Sequence, residues 1–397
     1  MELNDDLVVE IISYLPLKLA VRCKVLNKNF NSWISDPKFS QTLLQHQNIS
    51  TLLLYSSSDR SSQHFHKIFI NPIVTTEYKT TLPVNVDVVA SSKGLLLLNF
   101  GEVVGFCVFN PLTGAHQLIP YPKPTKDYRT RIGNACLAVD YPTSDQYKLV
   151  TIGQLGGKEG GYKFQVFSSE GSDGMWHKFQ LRMDLSNTFS NFLSCNPVYV
   201  NDSVHWLRND GRVVAFNTKR EEATVLDLPE FINHHDPIHG TIKPRFDTWL
   251  GIAQGLLTLI CLFKKSTVIA SYDYVTNNWR VTHTSANFIK GVSRFRHNFG
   301  FPIWIDNKQV LFLLDRRHVK EVRHLYEYDS EMNRYKIAAV LDKDDRVTLY
   351  RLPAFSPTLA SVHKTLSAVT VTVDLKHLSA ITATLDELKR FITEGTC

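Results

Sequence analysis

The chain is 397 residues long, with 44 Lys and Arg against 38 Asp and Glu, a net charge of +6 and 43% apolar residues. That composition describes a folded globular protein and excludes an intrinsically disordered one. No block of five or six basic residues occurs, which argues against a nucleic-acid groove. The longest apolar runs, such as Leu256–Phe263, are far too short to span a bilayer. The length admits a small module beside one large domain or two ordinary ones.

The six cysteines, Cys23, Cys107, Cys136, Cys195, Cys261 and Cys397, form no C-x-x-C and no close pair. Such spacing argues against a zinc site or a disulfide framework and suits a reducing compartment. The opening Met1-Glu2-Leu3-Asn4-Asp5-Asp6 is acidic where a secretory signal would be basic, so cytoplasm or nucleus is the expected location.

From Leu3 to about Asn48 the apolar residues recur at helical period. Leu7, Ile11 and Leu15 form one stripe, which Val8 and Ile12 widen almost round the helix. A second cluster, Leu17, Leu19, Ala20, Val21, Val25 and Leu26, follows the break at Leu15-Pro16. Phe30, Trp33 and Ile34 predict a third short helix, stopped at Asp36-Pro37 because a residue before proline is pushed out of the helical region. A short amphipathic piece from Gln41 to Gln47 closes the module. Three short helices cannot enclose so much apolar side chain alone. The surplus must meet the rest of the chain or another protein.

This segment resembles an F-box, the docking motif of substrate adaptors in SCF-type ubiquitin ligases. The plant form of the motif opens Leu-Pro-x-(Asp/Glu)-(Leu/Val), runs through an Ile/Leu stripe to Leu-Pro, and ends near Trp-x-x-x-Ile-Ser-Asp-Pro-x-Phe. Leu3, Asp6, Leu7, Ile11, Leu15, Pro16, Arg22, Lys28, Ile34, Ser35, Asp36, Pro37 and Phe39 stand where that pattern expects them. Asn4 replaces the usual proline, Val25 a common cysteine and Phe30 a common tryptophan; Asn4 is a good N-cap, so the helix start survives. The resemblance implies that Leu3, Leu7, Ile11, Leu15, Pro16, Leu19, Val25, Phe30 and Trp33 dock on a Skp-type adaptor and, through it, on a cullin.

From Thr51 onward, runs rich in Val, Ile, Phe, Tyr and Leu alternate with Gly, Asn, Asp, Pro and Ser clusters, which predicts strands joined by turns. A strand ending in an aromatic, a polar turn and a second strand recur five times, anchored on Phe109, Phe167, Phe216, Tyr272 and Tyr328. Partner strands such as Gly94-Leu-Leu-Leu-Leu and Gly255-Leu-Leu-Thr-Leu precede four of them. Units of about 50 residues that cannot bury their own faces predict an all-β domain over 51–355, a β-propeller of about six blades. A two-sheet sandwich with hairpin insertions is the alternative. Phe109–Gly114, Asn196–Leu207, Val214–Asn217, Trp249–Leu257 and Leu325–Asp329 resemble, in order, segments of the F-box-associated domain of plant adaptors. Kelch Gly-Gly doublets are missing from the expected strand positions.

The expected organisation is therefore an F-box of three helices over 1–48, the β domain over 51–355, and a tail over 357–397. In the tail, Leu375, Leu378, Ile381, Leu385, Leu388 and Ile392 predict an amphipathic helix that packs on the β domain or serves a partner.

The chemistry of an enzyme is not visible. There is no G-x-S-x-G elbow, P-loop or H-E-x-x-H. His234, His235, Asp236 and His239, or His64 and His66, lack further ligands at metal spacing. The glycine-rich stretch Gly153–Lys163 lacks the G-K-[ST] ending of a phosphate cradle. We expect no catalytic residue, no metal and no cofactor. The resemblance implies a substrate-recognition subunit of an SCF-type ligase whose β domain binds a protein target, with Tyr121–Arg131, Gln154–Tyr162 and Asn233–Pro244 as candidate recognition loops. The alternative is a propeller that binds a ligand or glycan, or a scaffold acting without ubiquitin ligase activity.

Overall fold

A computed structural model of the chain describes residues 4–46, 52–58, 63–69, 78–101, 104–122, 128–130, 134–155, 160–171, 174–182, 197–208, 211–227, 248–262, 266–286, 301–305, 310–314, 323–329, 332, 334–341, 354–362 and 375–393. Four helices open it, one more than the motif reading expects. The first, α1 (Asp5–Ser13), starts where Asn4 Oδ1 accepts from the Asp6 amide at 3.2 Å, with Asp5 and Asp6 placed favourably in the first turn. Next come α2 (Leu17–Cys23) and α3 (Lys28–Ser35), the latter capped by Asn27 Oδ1 accepting from Phe30 N at 3.0 Å. The extra helix, α4 (Pro37–His46), begins at the proline that stops α3. A proline lacks only an amide that the first helical position leaves unused, and Asp36 Oδ1 caps the new helix by accepting from Lys38 N at 2.8 Å. His46 closes the module onto α1: its Nδ1 lies 2.8 Å from Ser13 Oγ and its ring stacks on Tyr14 at 4.2 Å.

Strands follow in consecutive antiparallel sets. The first is β1 (Leu52–Ser58), β2 (Gln63–Phe69) and β3 (Tyr78–Thr81); the second is β4 (Asp87–Ser92), β5 (Leu95–Asn99), β6 (Phe106–Phe109) and β7 (His116–Ile119). A third set holds β8 (Tyr128–Thr130), β9 (Cys136–Val139), β10 (Tyr147–Leu155), β11 (Gly161–Ser168) and β12 (Trp176–Arg182). The fourth comprises β13 (Val198–Val200), β14 (Ser203–Leu207), β15 (Val213–Asn217) and β16 (Glu222–Leu226). The fifth runs through β17 (Thr248–Ala253), β18 (Leu256–Leu262), β19 (Ser266–Asp273) and β20 (Asn278–Ala286), and the sixth through β21 (Phe301–Ile305), β22 (Val310–Leu314), β23 (Arg323–Asp329) and β24 (Arg334–Leu341). The last strand, β25 (Ala354–Phe355), returns to the first sheet, pairing Phe355 with Leu52 and Ala354 with Leu53. Separate meanders in chain order, closed by a strand from the far end of the sequence, make a propeller-like domain and replace the sandwich alternative.

Turn chemistry repeats from sheet to sheet. The first hairpins of the second, fourth and fifth sheets turn on Lys93-Gly94, Asn201-Asp202 and Gln254-Gly255, with φ of 46 and 78°, 50 and 57°, and 52 and 75°. Two positive φ values give the turn whose twist matches antiparallel strands. The last hairpins use a different device. Asn110, Asn217 and Asp273 each follow an anchoring aromatic, and each carboxyl or amide oxygen accepts from the amides two and three residues on, as Asn217 Oδ1 does from Lys219 N at 3.0 Å and Arg220 N at 2.8 Å. Neighbouring sheets are tied by indoles. Trp176, Trp206 and Trp279 donate from Nε1 to the carbonyls of Pro120, Asn134 and Asp227, at 2.9, 2.9 and 3.0 Å, each reaching the end or start of the preceding sheet.

The second sheet is buried on both faces. Leu95, Leu97, Phe106 and Val108 join a cluster with the third sheet, while Leu96, Leu98, Cys107 and Phe109 join a cluster beneath α5 (Leu375–Thr393). That helix buries Ile381, Leu385, Leu388, Phe391 and Ile392, and leaves Leu378, expected in its stripe, exposed. Lys67 Nζ donates to the carbonyl of Phe391 near the C-terminus of α5 and lies 4.8 Å from the Phe391 ring, and Lys389 Nζ donates to Thr113 O at 3.2 Å. The tail helix packs on the β domain.

Candidate functional site

The helical module divides its apolar residues between two faces. Ile12, Leu17, Ala20, Ile34, Phe39 and Leu43 are buried and share one cluster with Val89, Leu95, Leu97, Leu137, Tyr141, Leu149, Leu359 and Ala360. On the other side Leu7 and Ile11 are each 53% exposed, Leu19 is 45% and Val25 is 86% exposed, and Pro16 is also exposed. Six of the fourteen large apolar side chains exposed among the described residues fall between residues 7 and 26: these four with Tyr14 and Leu26. Scattered exposed apolar residues are ordinary, whereas a concentration like this one is what protein–protein contact sites commonly present.

Not every residue of the expected docking set lies on that surface. Leu3 lies outside the described residues. Leu15 leaves the stripe because α1 ends at Ser13: its amide bonds back to Ile12 O at 3.0 Å in a tightened turn, and its half-buried side chain packs on the inner cluster. Phe30 also packs there, with Trp33 beside it at 5.4 Å between ring centroids; both are half-buried. Tyr14 and Leu26 belong to the exposed set though the motif pattern does not single them out. Their signal was positional: Tyr14 stands seven residues after Leu7 and three after Ile11, on one helical stripe.

The module is anchored near one end of the β domain. Lys24, after α2, is partly buried; that burial lowers its pKa, and the carboxylate of Asp145, in the β9–β10 turn, acts the other way. Asp145 Oδ1 also accepts from the amide of Ser361 at 3.4 Å. From that turn β10 runs nine residues, about 26 Å at 3.3 Å per residue, to Leu155, which pairs with Tyr128. Tyr128 and Leu155, in two expected recognition loops, therefore lie at the opposite end of β10 from Asp145, whereas Tyr121, at the start of the first loop, packs on the inner cluster. Asn233–Pro244 and the histidines His234, His235 and His239 lie outside the described residues.

Among the described residues no group of three His, Cys, Asp or Glu could hold a metal ion, and no helix is long and apolar enough to cross a membrane. Cys107, Cys136 and Cys261 are buried, and burial pushes each thiol up, that of Cys261 to about 12; none offers a thiolate at neutral pH. His205 is buried against Val198 O and the Tyr274 hydroxyl, each at 3.3 Å, and burial lowers its pKa to about 4. It is a neutral core histidine.

Comparison with known proteins agrees with this geometry. The F-box domain matches residues 1–42, and the F-box associated beta propeller domain matches residues 43–350. F-box protein CPR1 of Arabidopsis thaliana is 26% identical, over 78% of this chain and 79% of its own length. The putative F-box protein At1g20795 of the same plant is 28% identical over 54% of this chain and 52% of its length, and F-box protein At1g20360 is 26% identical over 55% and 72%. The alignment thus spans about half the length of At1g20795. TolB from Acinetobacter baumannii superposes with a TM-score of 0.42 at 9% identity over 81% of this chain and 71% of that one, a likeness too slight to carry an argument. An outward-facing helical module on a propeller-like domain, matched along both parts, places the chain in the family of F-box proteins with an F-box associated beta propeller domain.

Proposed function

We propose that the protein is the substrate-recognition subunit of an SCF-type ubiquitin ligase. The supporting observation is the face carrying Leu7, Ile11, Tyr14, Leu19, Val25 and Leu26, left open on a module whose opposite face is already buried. Full burial of one such side chain contributes roughly 1.5–3 kcal/mol, so a few of them suffice for a stable complex with a Skp-type adaptor. Leu3, Pro16 and Trp33 complete the docking set, with Leu15 and Phe30 supporting it from beneath. A cullin follows through the adaptor, and the protein works in the cytoplasm or nucleus.

Catalysis on this reading belongs to other subunits. The β domain holds a protein target at the end away from the helices and raises the target's effective concentration near the ubiquitin-loaded enzyme. The test is co-expression with a Skp-type adaptor and a cullin, comparing the intact chain with Leu7→Asp/Ile11→Asp. Recovery of both partners by the intact chain alone supports the reading. Recovery of neither by a folded intact chain contradicts it; adaptor binding without target turnover in a reconstituted reaction would favour a scaffold.

A further inference from the structure

Between β25 and the tail helix the chain crosses beneath the helical module as an extended strap, residues 356–362, of which Pro357, Thr358, Leu359 and Ala360 are buried. Three parts of the molecule hold it. Thr358 Oγ1 donates to Lys93 O at 2.5 Å, and Thr358 sits so close over the β4–β5 turn that a Cβ on Gly94 would lie 2.1 Å from its hydroxyl. Asn110 Nδ2 donates to both Thr358 O, at 3.1 Å, and Ala360 O, at 2.6 Å, while its Oδ1 is engaged by the β6–β7 turn. The Ser361 amide reaches Asp145, whose carboxylate also acts on Lys24 of the helical module. Leu359 and Ala360 lie in the cluster that holds Ile12, Leu17, Ala20 and Ile34, with Val362 packed against it.

We infer that the strap is an orienting device: through Asn110, Thr358 and the packing of Leu359 and Ala360 with the helices it fixes the direction of the open helical face relative to the far end of the β domain. On the ligase reading, on which this part of the inference rests, these are positioning residues that decide which lysines of a target come within reach. Buried double hydrogen bonds and a shared apolar cluster have discrete arrangements, so loosening them frees the module and does not bend it by degrees.

The test uses spin labels at the exposed Lys18 in α2 and the exposed Lys219 in the β15–β16 turn of the fourth sheet. One narrow distance distribution is expected for the intact protein, broadened at least twofold by Asn110→Ala and by Thr358→Val. A broad distribution in the intact chain, or variants as narrow as the parent, overturns the inference. Should Asn110→Ala fail to fold, Thr358→Val decides alone. In a reconstituted reaction the folded variants should keep adaptor and target affinity yet change the pattern of modified lysines. If the intact protein modifies no target at all, the ligase reading fails while the distance measurement still decides the strap.

Discussion

Two leucine-rich stretches meet opposite fates. In β5, Leu95, Leu96, Leu97 and Leu98 are all fully buried, because the second sheet has an apolar layer on each face. In α1 and α2, Leu7, Ile11 and Leu19 remain about half exposed although the sequence around them is as apolar. The strand has neighbours of this chain on both sides; the helices have one, and their second side is left open. Apolar content alone therefore does not distinguish a core from a docking face, whereas the number of elements available to cover it does.

The largest expected effect of breaking this contrast lies in the β domain. Trp206→Ala removes a fully buried indole together with its bond to Asn134 O, and should destabilise by about 3–5 kcal/mol in a denaturant titration. Leu97→Ala should lose about 2–5 kcal/mol in the same measurement. By contrast Ile11→Ala should shift stability by no more than about 0.5 kcal/mol, while weakening adaptor binding.

Acid should act on the β domain through His205. Its pKa is lowered from 6.5 to about 4 by burial, so protons bind preferentially to the unfolded chain. The stability this provides is complete above pH 6.5 and is lost as the pH falls towards 4, reaching about 3 kcal/mol in all. Urea midpoints across that range should decline less steeply in His205→Gln than in the parent; equal slopes would remove His205 as the cause.

A smaller loss of stability than in the core or at His205 concerns turns. Asn217→Ala removes acceptors for two backbone amides and should cost about 1 kcal/mol, as should Asp273→Ala, read as a lowered unfolding midpoint with unchanged slope.

Much of this was legible in the residues. Alternating β-branched and aromatic runs mark the strands, and the anchoring aromatics Phe109, Phe216, Tyr272 and Tyr328 each fall at the end of a strand. The Asn or Asp that follows each of them carries the turn, a regularity overshadowed by the aromatic beside it. The helical stripe contains Leu7 and Ile11, both exposed on α1, but it was extended to Leu15, because periodicity does not report that the helix stops at Ser13. Reading Pro37 only as a terminator cut the helix it starts down to a short amphipathic piece over Gln41–Gln47. The strap was invisible for another reason: Thr358 meets Lys93 and Asn110 meets Ala360 across about 250 residues of chain, and no local pattern records such a pairing.

The central claim is that the open face of the helical module is a docking surface and not a deficient core. The direct test is the affinity of a purified Skp-type adaptor, measured by titration calorimetry, for the intact protein and for Ile11→Asp/Val25→Asp. Both positions are exposed, so the variant should unfold at the same denaturant concentration as the parent. A loss of binding of at least a hundredfold at unchanged stability is the predicted result. Equal affinity for the two proteins, or no binding by the folded parent, would contradict the account.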